Sequence, residues 1–142
     1  MTRINVVPPE HLTDQHLIAE YRELPRVFPL AERALGRALD LPSTYVLGKG
    51  HVQFFYPRTD YLAARFDALV SELKDRGFKV NFTTPRVPLP PLSGWEPSLA
   101  DMRVNLARLS ARLAERPLFY THRKAPISVD FYERVQHGLG PA

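Results

Sequence analysis

Thr59-Asp60-Tyr61-Leu62-Ala63-Ala64-Arg65-Phe66-Asp67-Ala68-Leu69-Val70-Ser71-Glu72-Leu73-Lys74-Asp75-Arg76-Gly77 is the stretch that decides the fold class. Leu62, Phe66, Leu69 and Leu73 recur at the three- and four-residue spacing of one helix face, and Gly77 supplies a C-terminal stop. The spacing predicts a helix from Thr59 to Arg76. A further helix opens downstream at Ser98, which stands in capping-box spacing with Asp101, and closes after Arg116 at Pro117. Upstream, Thr13 or Asp14 is placed to cap a first helix that passes Tyr21 and Leu24, kinks at Pro25 and continues toward Leu39. A short helix from Ser128 to about His137 follows the main three.

The connections are of two kinds. Residues 41–56 are apolar and punctuated by glycine; their aromatic side chains read as buried, with a short strand as one option. Residues 78–97 hold Pro85, Pro88, Pro90, Pro91 and Pro97 and form a long non-helical loop. Three main helices with no alternation of strands imply an all-α fold, a single compact domain over residues 1–142 with long loops.

Composition narrows the class. A chain of 142 residues supports one domain with a modest core, and 44% hydrophobic with 24% charged residues is the balance of a soluble globular protein. No run of about 20 apolar residues exists for a membrane span, and no long apolar core marks a secretory signal. A cytoplasmic location is expected, nucleoid-associated in a bacterium. The absence of cysteine excludes disulfides and thiolate metal sites. The net charge of +4, from 19 Lys and Arg against 15 Asp and Glu, is a mild bias. What points to phosphate is the grouping of arginines on particular faces.

Stepping about 100° per residue sorts the first helix into three faces. Leu17, Tyr21, Leu24 and Phe28 form an apolar stripe; His16, Glu20 and Glu23 border it; Gln15, Arg22 and Arg26 share a third face. A carboxylate between an apolar face and an arginine face suits a half-buried site that stabilises a cation while arginines grip phosphates. Ahead of the helix stands Met1-Thr2-Arg3. Removal of Met1 leaves Thr2 with an α-amine of pKa about 8, against roughly 10.4 for lysine, so an appreciable fraction is neutral and nucleophilic near neutral pH. Amine, carboxylate and arginines together suggest imine chemistry on a polyanion. On spacing alone the plainer outcome is commoner: Arg22 and Arg26 paired with Glu23 and Glu20 at the surface, and His16 at the edge of the core.

Thr2-Arg3-Ile4-Asn5, Asp14-Gln15-His16-Leu17 and Ala19-Glu20-Tyr21-Arg22-Glu23-Leu24-Pro25-Arg26-Val27 closely resemble the phage-type pyrimidine-dimer DNA glycosylase family, also called endonuclease V. So do Leu47-Gly48-Lys49-Gly50-His51-Val52, Phe54-Phe55-Tyr56 and Arg76-Gly77-Phe78, and the likeness resumes weakly over the third main helix to Arg116-Pro117. The resemblance implies an all-α glycosylase coupled to an abasic-site lyase that acts as a monomer on damaged double-stranded DNA, without metal or organic cofactor. It implies that the Thr2 α-amine attacks the anomeric carbon of the damaged nucleotide and that Glu23 supports the sugar cation and the proton transfers of β-elimination. It further implies DNA contacts from Arg3, Gln15, His16, Arg22 and Arg26, and from Arg108 and Arg112 on the ridge Arg108, Arg112, Arg116. Gly48-Lys49-Gly50-His51 lacks the full pattern of any nucleotide motif and reads as a backbone turn, with His51 as core packing.

The chain departs from the family after Arg116-Pro117, where Leu118-Phe119-Tyr120-Thr121-His122-Arg123-Lys124 replaces a segment of Trp-Tyr-Lys-Tyr-Tyr type. Residues 117–142 are thus a divergent C-terminal segment, in which Phe119, Tyr120 and Lys124 are the expected DNA contacts. A cyclobutane pyrimidine dimer is the leading substrate, with ring-opened formamidopyrimidines or abasic sites as alternatives. Outside the class stand a non-catalytic DNA-binding module, which needs neither the Thr2 amine nor Glu23, and an N-terminal-nucleophile hydrolase, whose stacked sheets this chain lacks.

Overall fold

The computed structural model describes residues 3–139. Among them the regular elements are helices α1 (Asp14–Glu23), α2 (Val27–Ala34), α3 (His51–Phe54), α4 (Thr59–Asp75), α5 (Leu99–Glu115) and α6 (Phe131–Gly138), with a hairpin of β1 (Thr121–His122) and β2 (Ala125–Pro126). The chain is all-α apart from that hairpin, in which Thr121 pairs with Pro126 and His122 with Ala125. Two compact units divide it, one of residues 3–4 and 19–96 and one of residues 5–18 and 97–139, with α1 shared between them.

In the larger unit α4 follows the pattern read from its sequence. Leu62, Phe66, Leu69 and Leu73 are all buried. Its end is a Schellman motif: Phe78 N–H donates to Leu73 O (2.9 Å), Gly77 N–H donates to Lys74 O (3.0 Å), and Gly77 takes the left-handed φ of 82° that this closure needs. The first helix kinks at Pro25 as expected. Proline brings no N–H to the ladder, so the chain tightens into a 3-10 turn at Leu24–Arg26 and resumes as α2. It stops at Ala34 instead of reaching Leu39: Leu35 is extended, Gly36 has φ 76°, and Leu35 and Leu39 are both exposed, so no apolar stripe carries the helix onward.

Residues 41–56 hold the short helix α3 instead of a strand, though Tyr45, Phe54 and Phe55 are buried as their sequence suggests. The proline-rich loop is anchored side chain by side chain. Tyr21 Oη accepts from Asn81 N–H (2.9 Å), Thr59 Oγ1 accepts from Leu89 N–H (2.7 Å), and the Asp60 carboxylate takes Ser93 Oγ (2.6 Å) and Gly94 N–H (2.7 Å).

In the smaller unit α5 has the expected capping box: Asp101 N–H donates to Ser98 Oγ (3.1 Å) and Ser98 N–H donates to Asp101 Oδ2 (2.9 Å). Its buried Leu106, Leu109 and Leu113 continue a stripe that begins at Asn105. Asn105 Oδ1 accepts from Val6 N–H (2.8 Å) and Val7 N–H (3.2 Å), so a buried amide satisfies two backbone donors outside the helices. The C-terminal helix begins at Phe131 instead of Ser128, because the Ser128 hydroxyl and the Arg134 guanidinium are both engaged by Asp130 ahead of it.

Candidate active site

Thr2, the expected nucleophile, lies outside the described residues. The description begins with its neighbour Arg3, whose backbone N–H donates to Glu23 Oε2 at 3.2 Å. Glu23 is half-buried at the last position of α1, where the break at Pro25 turns the chain. One residue on, Ile4 is fully buried; its N–H donates to His51 Nε2 (2.8 Å) and its carbonyl accepts from Tyr45 Oη (3.4 Å). All five residues belong to the larger unit. The N-terminal backbone is therefore fixed immediately beside a carboxylate.

Glu20 and the two arginines, Arg22 and Arg26, separate cleanly from this arrangement. Glu20, placed by the sequence at the border of the apolar stripe, is buried in a bidentate pair with Arg65: Nε to Oε2 and Nη2 to Oε1, both 2.9 Å. Burial pulls the Arg65 pKa down, but Glu20 and the neighbouring Tyr61 and Tyr45 more than offset it, so the guanidinium stays charged. Burial pushes the Tyr61 hydroxyl up to about 12 and Tyr45 higher still, keeping both protonated. Glu20 is thus taken by the core, and Glu23 by the N-terminal backbone. The surface pairing of these acids with Arg22 and Arg26 does not form: among the described residues neither arginine has an ion pair, and both are exposed.

The smaller unit holds the start of α1. Thr13 caps it, its Oγ1 accepting from His16 N–H (3.2 Å). Asp14, left over from that task, is buried and accepts from Thr121 Oγ1 (2.6 Å), Arg123 N–H (3.0 Å) and Lys124 N–H (2.8 Å). Arg123 and Lys124 have φ of 51° and 67°, the left-handed pair that a two-residue hairpin demands and that glycine or asparagine usually supplies. The Asp14 carboxylate compensates by taking both of their N–H groups. Gln15 is spent on the same hairpin, its Oε1 accepting from Thr121 N–H (2.9 Å) and its Nε2 donating to Thr121 Oγ1 (3.1 Å).

His16 sits in an aromatic cluster. Its Nδ1 lies 2.6 Å from Tyr132 Oη and 2.8 Å from Thr13 Oγ1, and its ring stacks on Tyr120 with centroids 4.7 Å apart. Tyr132 Oη also accepts from Thr13 N–H (3.0 Å). Phe119 meets Tyr120 edge-on at 5.1 Å and is half-exposed, with the Arg116 guanidinium 4.2 Å over its ring. The Lys124 side chain is exposed at the hairpin tip. On α5, Arg112 makes a solvent-facing pair with Glu115 (3.4 Å), whereas Arg108 is half-buried with its Nε away from any hydrogen-bond partner among the described residues.

The structure thus gathers the expected residues into two groups, Arg3, Glu23, Arg22 and Arg26 in the larger unit, and Gln15, His16, Arg108, Arg112, Phe119, Tyr120 and Lys124 in the smaller. Sequence reading missed Tyr132, Thr121 and Asp14 as partners of these side chains, since separations of more than 100 residues leave no periodic signal. It also missed the two ring nitrogens of His51, whose burial alone it anticipated. A family model described as pyrimidine dimer DNA glycosylase matches residues 1–85, a span that includes Arg3, Gln15, His16, Arg22, Glu23 and Arg26.

Proposed function

The chain belongs to the pyrimidine dimer DNA glycosylase family, an enzyme family whose partner is DNA, and from that premise we propose that it works as a glycosylase and abasic-site lyase through an imine on the Thr2 α-amine. The observation that carries this reading is the hydrogen bond from Arg3 N–H to Glu23 Oε2 at 3.2 Å. The nitrogen held there is that of the Thr2–Arg3 peptide bond, so only the backbone of one residue separates Glu23 from the terminal amine.

The chemistry divides between the Thr2 amine and Glu23. The neutral amine donates its lone pair to C1′ of the damaged nucleotide as the glycosidic bond breaks and the base departs with the bonding electrons. Glu23 stabilises the cationic sugar and takes the proton that the attacking nitrogen sheds. Glu23 returns that proton to O4′ as the sugar ring opens, which gives the protonated imine. The carboxylate so regenerated takes a C2′ proton as the 3′ phosphate leaves with the bonding electrons, and the strand is cleaved. Arg22 and Arg26, exposed and without an ion pair among the described residues, are suited to the flanking phosphates. Arg3, Gln15, His16, Arg108, Arg112, Phe119, Tyr120 and Lys124 complete the proposed DNA contacts; Gln15 and Tyr120 do so with one face already engaged by the protein.

Borohydride trapping tests the reading. Duplexes carrying a thymine dimer, a formamidopyrimidine or an abasic site are offered to protein with an authentic Thr2 terminus and to protein that keeps an additional N-terminal residue. A covalent adduct on the dimer duplex only with free Thr2 is the expected result. Equal adducts from both proteins would move the nucleophile to a lysine, and no adduct from either would remove the imine.

A further inference from the structure

We propose that His51 is a positioning residue for the N-terminal amine: its neutral imidazole ties Ile4 to the Val46 carbonyl and fixes the direction in which the backbone leaves toward Thr2. The inference rests on the imine reading above and adds a residue to it. His51 Nδ1 lies 2.8 Å from Val46 O. A carbonyl only accepts, so Nδ1 carries the proton and Nε2 presents a lone pair. That lone pair faces Ile4 N–H at 2.8 Å.

Two further features make this a built device. The ring is 3% exposed and is gripped edge-on by Tyr45 and Phe55 at centroid distances of 5.7 and 5.6 Å, which fixes its plane. Gly50 just before it has φ 87°, and a Cβ there would stand 2.9 Å from Pro42 Cγ, so the turn that aims the imidazole accepts only glycine. Tyr45 Oη holds the Ile4 carbonyl and Glu23 holds Arg3 N–H, so consecutive backbone groups are pinned along the approach to the nucleophile. A nucleophile misplaced by about 1 Å can lose on the order of 10²-fold in rate.

His51→Phe keeps the ring and removes both hydrogen bonds; His51→Gln offers a carboxamide that can accept from Ile4 N–H and donate to Val46 O. Full-length protein with free Thr2 is assayed for single-turnover cleavage and borohydride trapping, for Kd on the same thymine-dimer duplex, and for Tm. His51→Phe is expected to bind DNA within about twofold of wild type and to trap and cleave on the order of 10²-fold more slowly, with His51→Gln recovering most of the rate. Trapping by His51→Phe at the wild-type rate overturns the assignment, as does a rate loss matched by lost DNA binding. Should His51→Phe not fold, the 15N signature of the wild-type imidazole decides: a protonated Nδ1 with an unprotonated Nε2 coupled to the Ile4 amide supports it, and the opposite tautomer overturns it. Wild type that forms no adduct brings down the imine reading itself, whereas a trapping wild type with unaffected variants removes only His51.

Discussion

At the scale of single residues, two carboxylates three positions apart on one helix have opposite fates. Glu20 is enclosed with Arg65, their side chains 0% and 4% exposed, while Glu23 stays half-buried on the Arg3 N–H. Glu20 is buried with its charge balanced by Arg65, whereas Glu23 is half-buried and reaches solvent. Glu23→Gln keeps the shape and an acceptor for Arg3 but removes the charge and the base. It is expected to lower single-turnover cleavage of a dimer duplex by about 10²- to 10⁴-fold with little change in DNA affinity; wild-type turnover would take Glu23 out of the chemistry. Arg65→Met strands a buried charge on Glu20 and is expected to destabilise by about 3–5 kcal/mol in urea titration. The double replacement Glu20→Leu with Arg65→Met should recover most of that loss, because it leaves neither charge alone.

At the scale of elements, the helices were legible wherever a local rule set them. The Thr59 to Arg76 stripe, the Gly77 stop, the Ser98 capping box and the break at Pro25 all depend on neighbours within one or two turns. What the sequence did not disclose was set by distant partners: the hairpin after Tyr120 exists because Asp14 absorbs its strained turn, and the position of His16 depends on Tyr132. The proline-rich loop is a third case, tied to the first turn of α4 by Asp60. Burial works to raise the Asp60 pKa, but hydrogen bonds from Ser93 and Gly94 outweigh it and hold the carboxyl below its ordinary value. A depressed folded-state pKa means that the stability it adds is fully present above the ordinary carboxylate pKa and is lost as pH falls through the lower folded value. Trp95, the one tryptophan, reports the event, since it follows the latched turn and packs on Tyr61 and Phe54. Its fluorescence is expected to shift to the red on acidification, with a midpoint below that of a free aspartate. Asp60→Ala should show the red-shifted spectrum already at neutral pH, and an unchanged spectrum would mean that aromatic packing alone holds the loop.

At the scale of the whole molecule, a net charge of +4 is a mild bias toward DNA, so what matters is which cations remain uncommitted. Arg134 faces Asp130, Arg86 faces Glu32, and Arg112 leans on Glu115. Such arginines already have a counter-charge, and moving them to a phosphate breaks one pair to make another. Arg22 and Arg26 have no ion pair among the described residues, and each phosphate they neutralise releases condensed counterions. The slope of log affinity against log salt should therefore shrink by about 0.9 for each of Arg22→Gln and Arg26→Gln. Arg134→Gln, which removes the same formal charge from a paired site, is the control and should leave the slope nearly unchanged. Equal shifts for all three would mean that the protein attracts DNA through its overall charge, and that the exposed arginine face at the end of α1 has no special share in holding it.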